Sequence, residues 1–223
     1  MKRVTAIHTV EDRTAAARCD VGFLKLRRLL LETEFDDGSR SRRYACDVVE
    51  RPGIDAVAVV LWRRGSGGRV EVLLRECTRP AIWLRRDRTL PVPDRGDYRH
   101  LLELVAGIIE PEDKGDEGIL HRAALEAQEE VGLKVAPAEV RRLGGGYFSC
   151  PGVLAEKVFL CSVEVKDQPV ESARGDGSAM EEGGGVHWLE LGDAVARCVR
   201  GEIEDSKTEI GLRRLADALR LHD

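Results

Sequence analysis

The side chains best suited to chemistry lie in one stretch of the chain. Between Asp116 and Val131 stand Glu117, Glu126, Glu129 and Glu130, and the last three fall within about one helical turn. At about 100° per residue, Ile119, Leu120, Ala123, Ala124, Ala127 and Val131 gather on one side of a helix, and Arg122, Glu126, Glu129 and Glu130 on another. Glu126 and Glu130 are four apart, so their like charges repel, and Arg122 offsets only part of this. A divalent cation would remove the conflict. Oxygen-only donors suit hard Mg²⁺ or Mn²⁺, and Mg²⁺ held by a few carboxylates keeps positions for water and a substrate phosphate. By spacing alone, the same carboxylates also read as a solvated helix face.

Such a helix needs defined ends and a sheet to pack on. Asp116 is suited to cap its start, and Gly132 to end it in a left-handed conformation. Upstream, residues 23–35 and 43–51 are rich in β-branched or large side chains and flank Asp36-Asp37-Gly38-Ser39, which predicts a β-hairpin. Pro52-Gly53 then punctuates the chain before an apolar strand at 54–62, and Gly65-Ser66-Gly67-Gly68 turns it into another at 69–75. Residues 85–99, rich in Arg, Asp and Pro, predict an exposed loop. A buried strand and turn follow at 101–109, the helix at 116–131, and strands at 155–165 and 186–189. Two helices close the chain at 191–200 and 206–221, the second with Ser206 as N-cap and Glu209 three residues on. The expectation is an α+β fold, with a small antiparallel β region over residues 1–52 and a mixed α/β domain over 53–223.

Composition bounds the partners. The chain has 223 residues, with Lys plus Arg 35, Asp plus Glu 40 and a net charge of -5, which argues against a general nucleic-acid binder. The longest apolar run, 54–62, is interrupted by Asp55 and falls short of the roughly 18 residues of a membrane span. Lys2 and Arg3 are followed by His8, Glu11, Asp12 and Arg13 rather than an apolar core, so a cytoplasmic protein with a small-molecule partner is expected. Cys19, Cys46, Cys77, Cys150, Cys161 and Cys198 show no C-x-x-C pair and read as buried thiols. His121 and His187 lack partners at ligand spacing and read as structural.

Glu117, Glu126 and the run Glu129-Glu130-Val131-Gly132-Leu133 resemble the box of the Nudix hydrolases, G-x5-E-x7-R-E-U-x-E-E-x-G-U. Seven residues separate Glu117 from Leu125, as in the pattern, and Ala127 is a small form of U. Two positions depart from it. Nine residues rather than five lie between Gly107 and Glu117, and Leu125 replaces the arginine that in the family pairs with the first glutamate. Further segments resemble the ADP-ribose pyrophosphatase branch: an N-terminal β region before the core, Leu104 to Pro111 leading into the box, Ser149-Cys150-Pro151-Gly152 followed by Glu156, and Gly201-Glu202-Ile203-Glu204-Asp205-Ser206-Lys207-Thr208.

The resemblance implies a Nudix-type α/β/α sandwich with a mixed β-sheet and Mg²⁺-dependent hydrolysis of ADP-ribose to AMP and ribose 5-phosphate. It implies two or more ions, Mn²⁺ being an alternative, held by Glu126, Glu129, Glu130, the Ala106 carbonyl and a loop glutamate, Glu182. Glu129, Glu182 or Glu181 would orient or deprotonate the attacking water. Arg79, Pro151 and Glu156 would meet the substrate, and the N-terminal region would join two copies in a homodimer. Base stacking would fall to one of few aromatics: Phe23, Phe35, Tyr44, Trp62, Trp83, Tyr98, Tyr147 or Phe148. Two alternatives stay open: a pyrophosphatase for another nucleoside diphosphate derivative such as a UDP-sugar, and a non-catalytic nucleotide-binding module.

Overall fold

The computed structural model describes residues 22–166, 170 and 184–220. Its centre is a mixed sheet, and the strand that organises it is β3 (Ala56–Arg64), six of whose nine residues are fully or almost fully buried. An apolar run with both faces covered is what a central strand requires. β3 runs parallel to β9 (Lys157–Glu164) along its length, from Ala56 opposite Val158 to Trp62 opposite Glu164. On its other side its partners change. Trp62 to Arg64 pair antiparallel with β4 (Val70–Cys77), whereas Ala56 to Val59 pair antiparallel with β6 (Val105–Ile108). The far half of β4, Arg75 to Cys77, pairs instead with β5 (Leu101–Glu103). β3 and β4 therefore diverge, and the segment from Leu101 to Ile108 fills the opening with one short strand on each.

This explains why the expected single strand at 101–109 is two strands. At the break, the Leu104 N–H donates to Thr208 Oγ1 at 2.9 Å instead of joining a ladder. β10 (Val186–Glu190) pairs with the free side of β4, and two short strands, β7 (Arg141–Arg142) and β8 (Tyr147–Phe148), pair with β9. These two lie in a stretch with no clear apolar alternation and were not foreseen.

Alternation along β3 assigns its neighbours. Val57, Val59 and Leu61 face a core completed by Ile119, Ala123, Ala127 and Val131 of helix α2 (Gly115–Val131). Ala58, Val60 and Trp62 face a second core with Leu191, Ala194, Leu212 and Leu215 from α3 (Leu191–Arg200) and α4 (Ser206–Arg220). The single turn α1 (Pro80–Trp83) precedes them in sequence, and its Trp83 is buried. The result is a sheet between helices on its two faces, an α+β fold. N-terminal to it, β1 (Lys25–Leu31) and β2 (Tyr44–Glu50) form the separate two-stranded antiparallel sheet that the hairpin signal predicts. Val49 N donates to Val153 O at 2.8 Å and links this ribbon to the rest.

Several local expectations need correction. Asp116 does not cap α2; Lys114 holds the cap position without a side-chain bond, and Asp116, inside the helix, pairs with Arg142. Gly132 does end the helix with φ 72°. Ser206 is the first residue of α4 rather than its cap, and Asp205 Oδ2 accepts from Thr208 N at 3.0 Å in that role. Residues 84–87 form a 3-10 turn at the start of the otherwise irregular 85–99 segment. Cys77, Cys161 and Cys198 are buried as expected, but Cys46 is half-buried and Cys150 exposed, because one lies on the thin ribbon and the other in a surface turn. Cys19 lies outside the described residues. Among the described residues no helix is long and apolar enough to cross a membrane.

Candidate functional site

The site lies where the sheet divides. α2 packs over β6 and β3, and this brings its carboxylates onto the backbone of Ala106 and Gly107. Glu126 approaches Gly107 so closely that a Cβ there would stand 1.9 Å from its Oε1. Only glycine allows this contact. One turn on, Glu130 Oε2 accepts the Ala106 N–H at 3.0 Å, and Glu130 Oε1 pairs with the Arg75 guanidinium from β4. Both glutamates are buried, so they are not a solvated helix face. Glu129 is exposed and departs from the expected cluster, since a residue one position before Glu130 projects about 100° away from it.

An acid–arginine pair ties down the loop ahead of α2. Glu117, matched to the first box glutamate, is exposed. Instead, Arg122 Nε donates to Asp113 Oδ2 at 2.7 Å, with the Asp113 side chain 6% exposed, and Arg122 Nη1 lies 4.0 Å from Glu126 Oε1. Glu110 N also donates to Asp113 Oδ2, at 3.0 Å, which closes the loop ahead of α2. Burial would raise the Asp113 carboxyl, but the Arg122 guanidinium and the Glu110 N–H hold it below the usual carboxylate range. Gly118 gives the loop room, because a Cβ there would meet the Asp113 carbonyl carbon at 2.2 Å. The signal for Asp113 was present in the sequence: five residues, 108 to 112, separate it from Gly107, the spacing the pattern asks for. Arg122, three positions before Leu125, is the arginine that pairs with Asp113.

A second network adjoins the first. Arg79 Nε and Nη2 donate to Glu103 Oε1 and Oε2 at 2.8 and 2.7 Å, a two-point clamp on a carboxylate that is 2% exposed. Lys207 Nζ donates to the same carboxylate and, at 2.9 Å, to Asp205 Oδ1. Burial alone would raise Glu103, yet Arg79 and Lys207 hold it down to about 2. Glu103 and Lys207 were not foreseen as site residues, because one sits in a short apolar strand and the other in a helix start far along the chain. Burial, with the Glu103 and Glu130 carboxylates nearby, pushes the Cys77 thiol up to about 11, which favours its neutral form.

The remaining predicted residues are distributed as follows. Glu156 is held by Arg51 Nη2 at 2.8 Å and Ser149 Oγ at 2.7 Å, and Pro151 is exposed in the turn that bonds to β2 through Val153. Glu181 and Glu182 lie outside the described residues. The chain after them packs on β4: a Cβ on Gly184 would meet the Glu76 carbonyl oxygen at 1.9 Å, and Glu76 N donates to Gly185 O at 2.7 Å. His187 Nε2 lies 3.1 Å from Glu76 Oε1, and His121 Nδ1 3.8 Å from Asp113 Oδ1, so each histidine neighbours one carboxylate.

Two buried carboxylates one turn apart, against a backbone left bare by Gly107, are the donor chemistry that a hard divalent cation requires. Each carboxylate also faces a guanidinium, Arg122 at 4.0 Å from Glu126 and Arg75 paired with Glu130. Among the described residues no three His, Cys, Asp or Glu side chains converge as a metal-ligand group. By sequence, no known protein family and no curated protein matches this chain.

Two outcomes follow from this geometry. Gly107→Ala displaces the Glu126 carboxylate from its seat on the strand and, because that carboxylate is buried, lowers stability by about 1–3 kcal/mol, read by urea denaturation; an unchanged midpoint contradicts the contact. A double-mutant cycle on Asp113→Asn and Arg122→Gln gives a coupling of about 1–3 kcal/mol, because both partners are largely buried. Additive losses would show that the pair does not brace the loop.

Proposed function

We propose that this chain is a Nudix-type, Mg²⁺-dependent hydrolase of the diphosphate bond in a nucleoside diphosphate derivative, with ADP-ribose as the favoured substrate. The observation that carries the reading is the seat of Glu126 on Gly107, since it joins the glycine and the first metal-site glutamate of the resembled pattern at a buried, oxygen-rich point. The ADP-ribose branch is supported by the sequence segments around Pro151 and Lys207. A bound Mg²⁺ would neutralise the diphosphate and lower the pKa of a coordinated water.

The chain's own residues would do the rest. Glu126, with Glu129 at the solvent side and the Ala106 carbonyl, would hold the cation. Glu182, or Glu181, would orient or deprotonate the water. Arg79, fixed by its clamp on Glu103, would meet a phosphate without first losing side-chain freedom. Glu156 and Pro151 would contact the sugar or base side, beside the ribbon that Val49 ties to the same turn. That ribbon exposes Phe23, Leu24, Leu30, Phe35 and Tyr44, an apolar surface suited to a second copy of the chain.

A non-catalytic binding module is the second reading. It draws on the pairing of Glu130 with Arg75 and on the lack, among the described residues, of a three-carboxylate group.

Incubation with ADP-ribose, UDP-glucose and diadenosine polyphosphates, with and without Mg²⁺, separates these readings by chromatography of the products. The expected result is AMP and ribose 5-phosphate only with Mg²⁺, and a loss of turnover of about 100-fold in Glu126→Gln. Turnover of UDP-glucose alone would move the substrate class, and no turnover of any compound would leave the binding module.

A further inference from the structure

The excursion of the chain between β4 and β5 concentrates positive charge that the candidate site does not use. Cys77, the last residue of β4, pairs with Leu101, the first of β5, so residues 78–100 leave and rejoin the sheet at one point. From Leu84 to His100 they hold five arginines and three aspartates, a net of +2 in a chain of -5. The excursion is also held in shape. Thr78 Oγ1 and His100 Nδ1 lie 3.2 Å apart at its base, the Tyr98 hydroxyl bonds to Glu204 before α4, and Trp83 of α1 is buried.

Within it lies a cavity of about 470 Å³ whose lining includes Arg85, Arg86 and Arg88, with Leu90 and Pro93 as apolar wall. The three guanidiniums are in different states. Arg85 gives Nε and Nη2 to Asp94 at 2.8 and 3.1 Å, so these two charges cancel and the side chain is fixed. Arg86 gives only Nε, to the Trp83 carbonyl at 3.1 Å, and its Cζ lies 3.8 Å from the centre of the Trp83 ring. Stacking thus orients Arg86 while both its terminal nitrogens stay available. Arg88 is exposed and, among the described residues, pairs with no carboxylate. The second acid of the lining, Asp97, is paired with Arg99 at 2.7 Å, so the charge left over in the cavity is that of Arg86 and Arg88.

We propose that this cavity binds a phosphate monoester, with the Arg86 and Arg88 guanidiniums on the phosphate and Leu90 and Pro93 against the group that carries it. Planar forks of N–H donors match phosphate oxygens, and a guanidinium already held on a ring loses little freedom on binding. An apolar wall beside a few placed donors is the usual make-up of a small-molecule site. The site needs no metal and none of the α2 glutamates, so it stands apart from the hydrolase reading.

Titration of the full chain against AMP and against inorganic phosphate, followed by the ³¹P resonance with divalent metal withheld, tests the inference. The wild type is expected to bind both, AMP the more tightly. Arg88→Gln is expected to weaken AMP binding by about threefold or more, and Arg86→Gln with Arg88→Gln by about tenfold or more. Arg69→Gln removes the same charge at the opposite end of β4 and is expected to leave binding unchanged. Arg88 is exposed and unpaired, so its single variant keeps the test valid should the loss of Arg86 from Trp83 unsettle the fold. No binding of either probe by the wild type overturns the inference. So does AMP binding that persists in the loop variants, which places it elsewhere, or an equal loss in Arg69→Gln, which makes it a response to overall charge. Equal affinity for AMP and inorganic phosphate overturns the part given to Leu90 and Pro93.

Discussion

The contact between Glu126 and Gly107 is the constraint on which the rest of the structure turns. A buried carboxylate is seated on bare backbone where α2 packs on β6, and β6 itself lies in the sheet where β3 and β4 part. The parted strands leave Arg75 on one side of the opening and Ala106 on the other. Glu130, one turn along α2, meets both. Two like charges on adjacent turns would repel in an isolated helix, but here each has its own neighbour: Arg122 is near Glu126, and Arg75 is paired with Glu130. Burial of the acidic helix face is therefore tolerated because Arg122 of the helix itself and Arg75 of the sheet carry the compensating charge.

Around this contact two networks fix what must not move. Asp113 and Arg122 tie the loop before α2 to the helix body, so the loop position is set before any ligand arrives. Glu103 does the corresponding work at the other rim. Its carboxylate is shared by Arg79 from the end of β4 and Lys207 from the start of α4, and Asp205 links Lys207 to Thr208, whose hydroxyl holds the Leu104 backbone. A segment near the end of the chain thereby helps to place an arginine from its first half. Buried charges of this kind are poor sources of net stability but strong determinants of geometry once every member is paired.

Much of the fold was legible because long-period signals are robust. The buried run of β3, the 3.6-residue periodicity of α2 and the left-handed stop at Gly132 were all readable, as was the bipartite division between ribbon and core. The split of residues 101–109 into two strands was not, because nothing local marks a change of partner; the break depends on Thr208, about a hundred residues away. At the site, the glutamates were identified by type and spacing, but periodicity could not say which were buried, and Glu129 proved exposed. The acid of the Asp113–Arg122 pair was not singled out for a related reason. Counting backwards from the helix favours Glu117, whereas counting forwards from Gly107 reaches Asp113, and only the packing of Gly118 on the Asp113 backbone decides between them. Arg75 and Glu103 carried no motif at all: Arg75 is one of three charges in β4, and Glu103 a lone charge ending a short apolar strand.

The central claim is that the buried face of α2 above Gly107 is where this chain handles a metal-bound diphosphate. Crystals grown with Mn²⁺ and measured for its anomalous scattering test it most directly. The account predicts an anomalous peak within coordination distance of the Glu126 carboxylate, beside the backbone of Ala106 and Gly107. A peak at another surface, with none along α2, would contradict it.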